Sequence, residues 1–168
     1  GKRVLLIDSD MRLPTIHKKL GFKAAPGLSN LLVGMNDVEK AIYRLEDKGF
    51  DVMPAGNTPP NPTELLGSAR MEKLLNGLSA HYDYIIIDLP PVTIVSDALV
   101  CSKYLSGIVF VVRGGRATTA ELGEAIRQLE FANVKILGFV YNSAEGSKSN
   151  NYSKKYSIFL LNISFYLH

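Results

Sequence analysis

Apolar and polar positions along the chain fall into two alternating rhythms. Short, nearly continuous apolar runs rich in Ile and Val recur at residues 3–8, 50–54, 83–88, 107–113 and 135–141. Runs of that length, bounded by turn residues, fit strands covered by helices on both faces. Between them apolar residues return every three or four positions, which predicts helices over 14–20, 28–33, 37–45, 62–68, 70–80, 97–104 and 118–132. The last has the clearest pattern: Thr118 or Thr119 is its N-cap, and Leu122, Ala125, Ile126 and Leu129 share one face. Gly138 interrupts the final strand, marking a bulge or a close backbone approach. The alternation predicts an α/β fold, a mostly parallel sheet sandwiched by helices.

Two of these strands stop on acids. Val4-Leu5-Leu6-Ile7 runs into Asp8-Ser9-Asp10-Met11-Arg12, and Tyr84-Ile85-Ile86-Ile87 runs into Asp88-Leu89-Pro90-Pro91. In open α/β sheets ligands bind at the carboxyl ends of the strands. Three carboxylates delivered there call for a cation, and Mg²⁺ carrying phosphates is a common answer. Each acid also has a plain structural role open to it: Asp8, Ser9 or Asp10 as a helix cap, Asp88 as a strand terminator. Arg12 could meet phosphate or fix an acid.

Other strand ends offer weaker candidates. Arg113-Gly114-Gly115-Arg116 could bring cations to a phosphate or form a surface turn. Asn142 could bind a base edge or cap a turn. The loop Gly56-Asn57-Thr58-Pro59-Pro60-Asn61-Pro62 is stiffened by its prolines, with Asn61 as a candidate N-cap and Pro62 in the first turn of a helix. A rigid connector explains it physically. His17, beside Lys18 and Lys19, reads as an exposed helix residue, and the histidines show no metal-ligand spacing.

Composition narrows the classes. With 168 residues and 46% hydrophobic content, the chain holds one domain with a full core. A formal charge of +3 gives no argument for nucleic acid. The lone Cys101, in an apolar helical setting, reads as a buried structural thiol of a reducing cytoplasm. No apolar run reaches the roughly 20 residues of a membrane helix, so a soluble, cytoplasmic chain is expected. Residues 1–143 read as the folded domain and 144–168 as a flexible tail, whose segment 157–168 is unexpectedly apolar: an extra strand, an interface or a frame-shifted terminus. Gly1-Lys2 resembles the end of a GxxxxGK[ST] phosphate loop, but a strand rather than a helix follows it, and no other stretch fits that cradle.

The succession of residues 4–12, 56–66, 82–91 and 107–113 resembles the bacterial tyrosine kinases, P-loop ATPase relatives that control capsule and exopolysaccharide export. The DxD and DxPP strand ends are shared with partition and septum-positioning ATPases; the proline-rich segment is narrower and points to the kinases. The resemblance implies a P-loop NTPase-like fold, with the P-loop strand and helix expected upstream of residue 1. It implies ATP and Mg²⁺ as cofactors, Asp8 as base toward a tyrosine hydroxyl, Asp8 and Asp10 at the metal, and Asp88 ordering the metal's water shell. Arg12, Arg113 and Asn142 are the candidate nucleotide contacts. Tyr152 and Tyr156 match the tyrosine cluster phosphorylated between neighbouring subunits, with Tyr166 a further candidate. Implied partners are a membrane adaptor (a polysaccharide co-polymerase), a homo-oligomeric ring in the parent protein and a cognate tyrosine phosphatase. The implied location is cytoplasmic, at the inner face of the membrane through the adaptor. Without its cradle the piece is expected to be inactive, and a non-catalytic adaptor-binding remnant is the other reading.

Overall fold

The computed structural model describes residues 1–113, 118–142 and 163–165, with the backbone only of Arg113 and of 163–165. Seven strands form one sheet in the order β2-β3-β1-β4-β7-β5-β6. The strands are β1 (Val4–Asp8), β2 (Tyr43–Leu45), β3 (Phe50–Met53), β4 (Tyr84–Asp88), β5 (Ile108–Arg113), β6 (Ile136–Asn142) and β7 (Ile163–Phe165). β1 lies parallel between β3 and β4, and β5 parallel to β6. Helices α1 (Ile16–Leu20), α2 (Leu28–Leu32), α3 (Pro62–Leu66), α4 (Ala69–Ser79), α5 (Asp97–Cys101) and α6 (Thr119–Phe131) complete the described fold. Leu5, Ile7, Ile85, Ile87 and Phe110 are fully buried in one apolar core with Met71, Leu75, Ala125 and Leu129 of the helices. Removing such side chains from water is what holds the layers together, at about 25 cal/mol per Å² of apolar surface.

Local chemistry sets most boundaries where the pattern puts them. Thr118 and Glu121 form a reciprocal capping box on α6. Ser68 caps α4 by accepting from the Met71 N–H. Pro62 opens α3, while the Asn61 amide donates to Glu64 instead of capping. The β5–β6 register shifts between Ile108 and Val109, skipping Leu137, and a Cβ on Gly138 would meet nothing within 4 Å. Gly138 therefore marks a bulge and not a close approach. Cys101 is buried, and burial pushes its thiol up to about 12, so it is an inert packing residue.

One stretch departs from expectation. Residues 37–45 are not one helix: a 3₁₀ turn at Val38–Ala41 gives way to β2, which pairs antiparallel with β3. Val38, Ala41 and Ile42 do repeat at helical spacing. The hairpin wins because Gly49, at φ 71°, closes its turn and because Tyr43 and Leu45 find strand partners in Val52 and Phe50. β7 lies in the apolar segment 157–168, where an extra strand is one of the expectations. It enters the sheet antiparallel between β4 and β5, pairing Ile87 and Ile108 on either side of Ser164. Residues 114–117, 143–162 and 166–168 lie outside the described residues.

A proline at Ser164 should disrupt this bridge, since proline supplies no N–H and fits badly inside a sheet. The expected outcome for Ser164→Pro is faster amide exchange at Ile86, Ile87, Ile108 and Val109, with β1 and β3 unaffected.

Candidate functional site

β1 and β4 are adjacent and in register, so Asp8 lies directly beside Asp88 at their carboxyl ends. Paired positions on neighbouring strands project from the same face, which places both carboxylates together. The Ser9 N–H donates to the Asp88 carbonyl at 2.8 Å and locks the two strand ends. Asp8 is fully buried; Asp88 keeps some solvent contact.

The three acids differ in what holds them. Asp10 is nearly buried, and one of its oxygens accepts the N–H groups of Arg12 (3.2 Å) and Leu13 (3.0 Å), shaping the turn after β1. Asp8 Oδ2 accepts the Ile16 N–H at 3.2 Å at the start of α1. Asp8 Oδ1 and Ser9 Oγ are buried with no hydrogen-bond partner among the described residues. A buried carboxylate oxygen left in that state is costly unless a proton, donor or cation meets it. Burial, reinforced by repulsion from Asp10, pushes Asp8 up to about 6. Burial, then the charges of Asp8 and Asp10, pushes Asp88 up to about 7.

Such crowding fits a cation. Among the described residues no three acid, imidazole or thiol groups are placed to ligate one ion together. A metal here would therefore take one or two carboxylates and complete its shell with water or phosphate, as Mg²⁺ does.

Arg12 is engaged with an acid that the sequence did not single out. Its Nε donates to Asp97 Oδ2 at 3.1 Å, and its Nη2 to Asp97 Oδ1 at 3.2 Å and Thr63 Oγ1 at 2.9 Å. The Thr63 hydroxyl donates to the same fully buried Asp97. This clamp joins the turn after β1, the proline-rich loop at α3 and the start of α5. An acid opening the apolar stretch Asp97-Ala98-Leu99-Val100-Cys101 was the available signal, since a buried carboxylate needs a donor.

The proline-rich loop leaves β3 pressed against α2. The Leu28 N–H donates to the Pro54 carbonyl, the Ser29 hydroxyl to the Asn57 carbonyl at 2.6 Å, and Asn30 Oδ1 accepts the Gly27 N–H. Gly56, at φ 84°, leaves no room for a side chain: a Cβ would lie 2.4 Å from Ser29 Oγ. Gly56→Ala combines left-handed strain with overpacking, and should destabilise the fold by roughly 2–4 kcal/mol. Urea denaturation checks this; a midpoint equal to the parent's would refute it.

Of the remaining candidates, Asn142 is exposed at the end of β6, paired in register with Arg113, away from the acid pair. The side chain of Arg113, Gly114, Gly115 and Arg116 lie outside the described residues, as do Tyr152, Tyr156 and Tyr166. His17 is half-buried, not exposed, and desolvation followed by Lys18 lowers its pKa. No helix among the described residues is long and apolar enough to cross a membrane.

Comparison with known proteins decides between the families sharing such strand ends. Residues 1–129 match the family described as AAA domain. The kinase domain of VpsO superposes with a TM-score of 0.82 at 33% identity, covering 86% of this chain and 71% of that one. The chain belongs to the bacterial tyrosine-kinase family. The chimerical protein CapA2B2 gives a TM-score of 0.81 at 35% identity, over 84% of this chain and 63% of that one. The putative tyrosine-protein kinase EpsB of Ralstonia nicotianae is 39% identical over 145 residues, or 86% of this chain. The chain spans 19% of the length of EpsB, a fraction of that relative.

Proposed function

We propose that residues 1–168 form the acid-bearing part of the catalytic domain of an ATP-dependent protein-tyrosine kinase that phosphorylates itself. The observation that carries this is the in-register pair Asp8 and Asp88, with Asp8 Oδ1 buried and unpartnered among the described residues. Asp8 is the base: a carboxylate raised to about 6 accepts a phenolic proton better than an ordinary one. Asp10 and Asp88 would hold the metal, Asp88 by ordering its water shell. Mg²⁺, when bound, neutralises charge on the transferring phosphoryl group. Tyr152 and Tyr156 are the acceptors, brought to a neighbouring subunit's acids in a ring.

Arg113 and Asn142 are retained as nucleotide contacts; Arg12 serves by holding Asp97 and hence the turn that carries Asp10. The process is exopolysaccharide or capsule synthesis and export, with a membrane adaptor as partner. These proposals draw on the likeness to tyrosine kinases. Residues 1–168 contain no GxxxxGK[ST] sequence, the motif that cradles phosphate in P-loop proteins.

The test compares residues 1–168 with a version carrying a relative's phosphate-loop strand and helix at its N-terminus. With ATP and Mg²⁺, mass spectrometry should find phosphate on Tyr152 or Tyr156 in the extended version and none in residues 1–168 alone. ATP hydrolysis without tyrosine phosphate would favour a partition-type ATPase. Neither reaction would favour an adaptor-binding remnant.

A further inference from the structure

A cavity of about 640 Å³ lies away from the acids, between α2, the 3₁₀ turn, β2 and α4. Its floor is apolar, built from Leu31, Leu32, Ile42, Leu74 and Leu78. Its walls carry Arg44, Arg70, Lys73 and His81 against a single acid, Glu39. Lys73 is exposed and forms no salt bridge with a described residue, while Arg70 donates to the Leu32 carbonyl at 3.0 Å and ties α4 to α2. The volume falls within the range of about 300–1,000 Å³ found for ligand pockets. None of the carboxylates of the candidate site lines it.

A second observation points outward from the same groove. Gly77 lines it, on the α4 face that carries Arg70 and Lys73. A glycine inside a helix costs about 1 kcal/mol relative to Ala. Here a Cβ would meet no heavy atom within 4 Å, so packing within the described chain gives no reason for the missing side chain. A bare helix surface in a groove lets another backbone approach closely.

We infer that this groove is a docking site for an acidic, amphipathic peptide segment of a partner protein. Its apolar side chains enter between α2 and α4, its carboxylates meet Arg44, Arg70 and Lys73, and its backbone crosses Gly77. The excess of cations sets the sign of the partner, and the apolar floor supplies the burial that anchors it. A membrane surface fits less well, because among the apolar side chains lining the groove only Val38 is exposed, while Leu32 and Leu78 are buried. This inference stands independently of the kinase reading.

The experiment uses the 168-residue chain and a fluorescein-labelled helical peptide with Leu along one face and Glu on its borders. One control replaces the Glu residues with Lys, a second replaces Leu with Ser, and phosphatidylglycerol vesicles form a third arm. Anisotropy should show the acidic Leu peptide binding at least roughly tenfold tighter than either control peptide. Lys73→Glu and Gly77→Leu should each weaken it by roughly tenfold, whereas Gly77→Ala should fold with an equal or higher melting temperature. Lys73 is exposed, so its variant keeps the test decisive even where Gly77→Leu folds poorly. Equal binding of the three peptides, insensitivity to both variants, or preference for the vesicles would overturn the proposal.

Discussion

Asp88→Asn is expected to make the protein more stable at neutral pH and to abolish tyrosine phosphorylation in the version carrying a phosphate loop. Both effects have one cause. Asp88 holds its proton up to about 7 in the fold, whereas an unfolded Asp releases it near 3.8. Below pH 3.8 both states are protonated and the carboxyl carries no penalty. Between pH 4 and 7 the unfolded chain ionises first, so stability falls as pH rises, and above 7 the penalty is complete. Asp8, raised to about 6, repeats this over a lower window. An amide cannot ionise, so the stability of Asp88→Asn minus that of the parent should grow from near zero at pH 4 to on the order of 4 kcal/mol at pH 7.5. Thermal unfolding across that range reads the difference; a flat difference would show that Asp88 is not held protonated. In the extended kinase, phosphotyrosine should fall by about 100-fold or more, since the carboxylate is needed where charge develops.

Magnesium sharpens the same argument. A cation relieves the repulsion among Asp8, Asp10 and Asp88, so it should raise the melting temperature of the parent more than that of Asp88→Asn. Stability and function then pull against each other at one residue, as expected where acids are held together for use and not for packing.

What the sequence showed of this site depended on how local each signal was. β1, β4 and β5 are apolar runs whose ends can be read directly, so Asp8 and Asp88 were legible as strand-end acids. Their pairing in register was not: Asp8 and Asp88 are distant in sequence, and strand order is a property of the whole sheet. The Arg12–Asp97–Thr63 clamp is harder still. Arg12 and Asp97 lie 85 positions apart, Thr63 and Asp97 34 apart, and each alone resembles an ordinary helix-end residue. Residues 37–45 misled for the opposite reason. Their helical spacing was visible, while the partner that turned Tyr43–Leu45 into a strand lay beyond the following turn. β7 shows the same limit, for its neighbours Ile87 and Ile108 belong to distant strands.

Arg12→Ala should rank with Gly56→Ala among the most destabilising changes at the site, because the Arg12 guanidinium is engaged with the buried Asp97. Asp97 is fully buried, and the guanidinium gives it two hydrogen bonds and a neutralising charge. Removing Arg12 leaves that carboxylate with the Thr63 hydroxyl among the partners described here, in a place water does not reach. Breaking a buried pair from one side typically costs 3–5 kcal/mol; solvent at the partly exposed Arg12 puts the expected loss at the lower end, about 3 kcal/mol. Arg12→Lys should recover part of it, because an ammonium restores the charge but not the two-pronged geometry. Replacing both partners, as in Arg12→Leu with Asp97→Leu, should cost less than Arg12→Ala alone, since no buried charge is then stranded. Urea denaturation of the three variants separates the readings: equal losses in Arg12→Ala and the double variant would mean the clamp acts through packing. Hydrogen exchange adds the functional half. If the clamp holds the proline-rich loop, Arg12→Ala should speed exchange in α3 and in the turn after β1 while α6 stays protected.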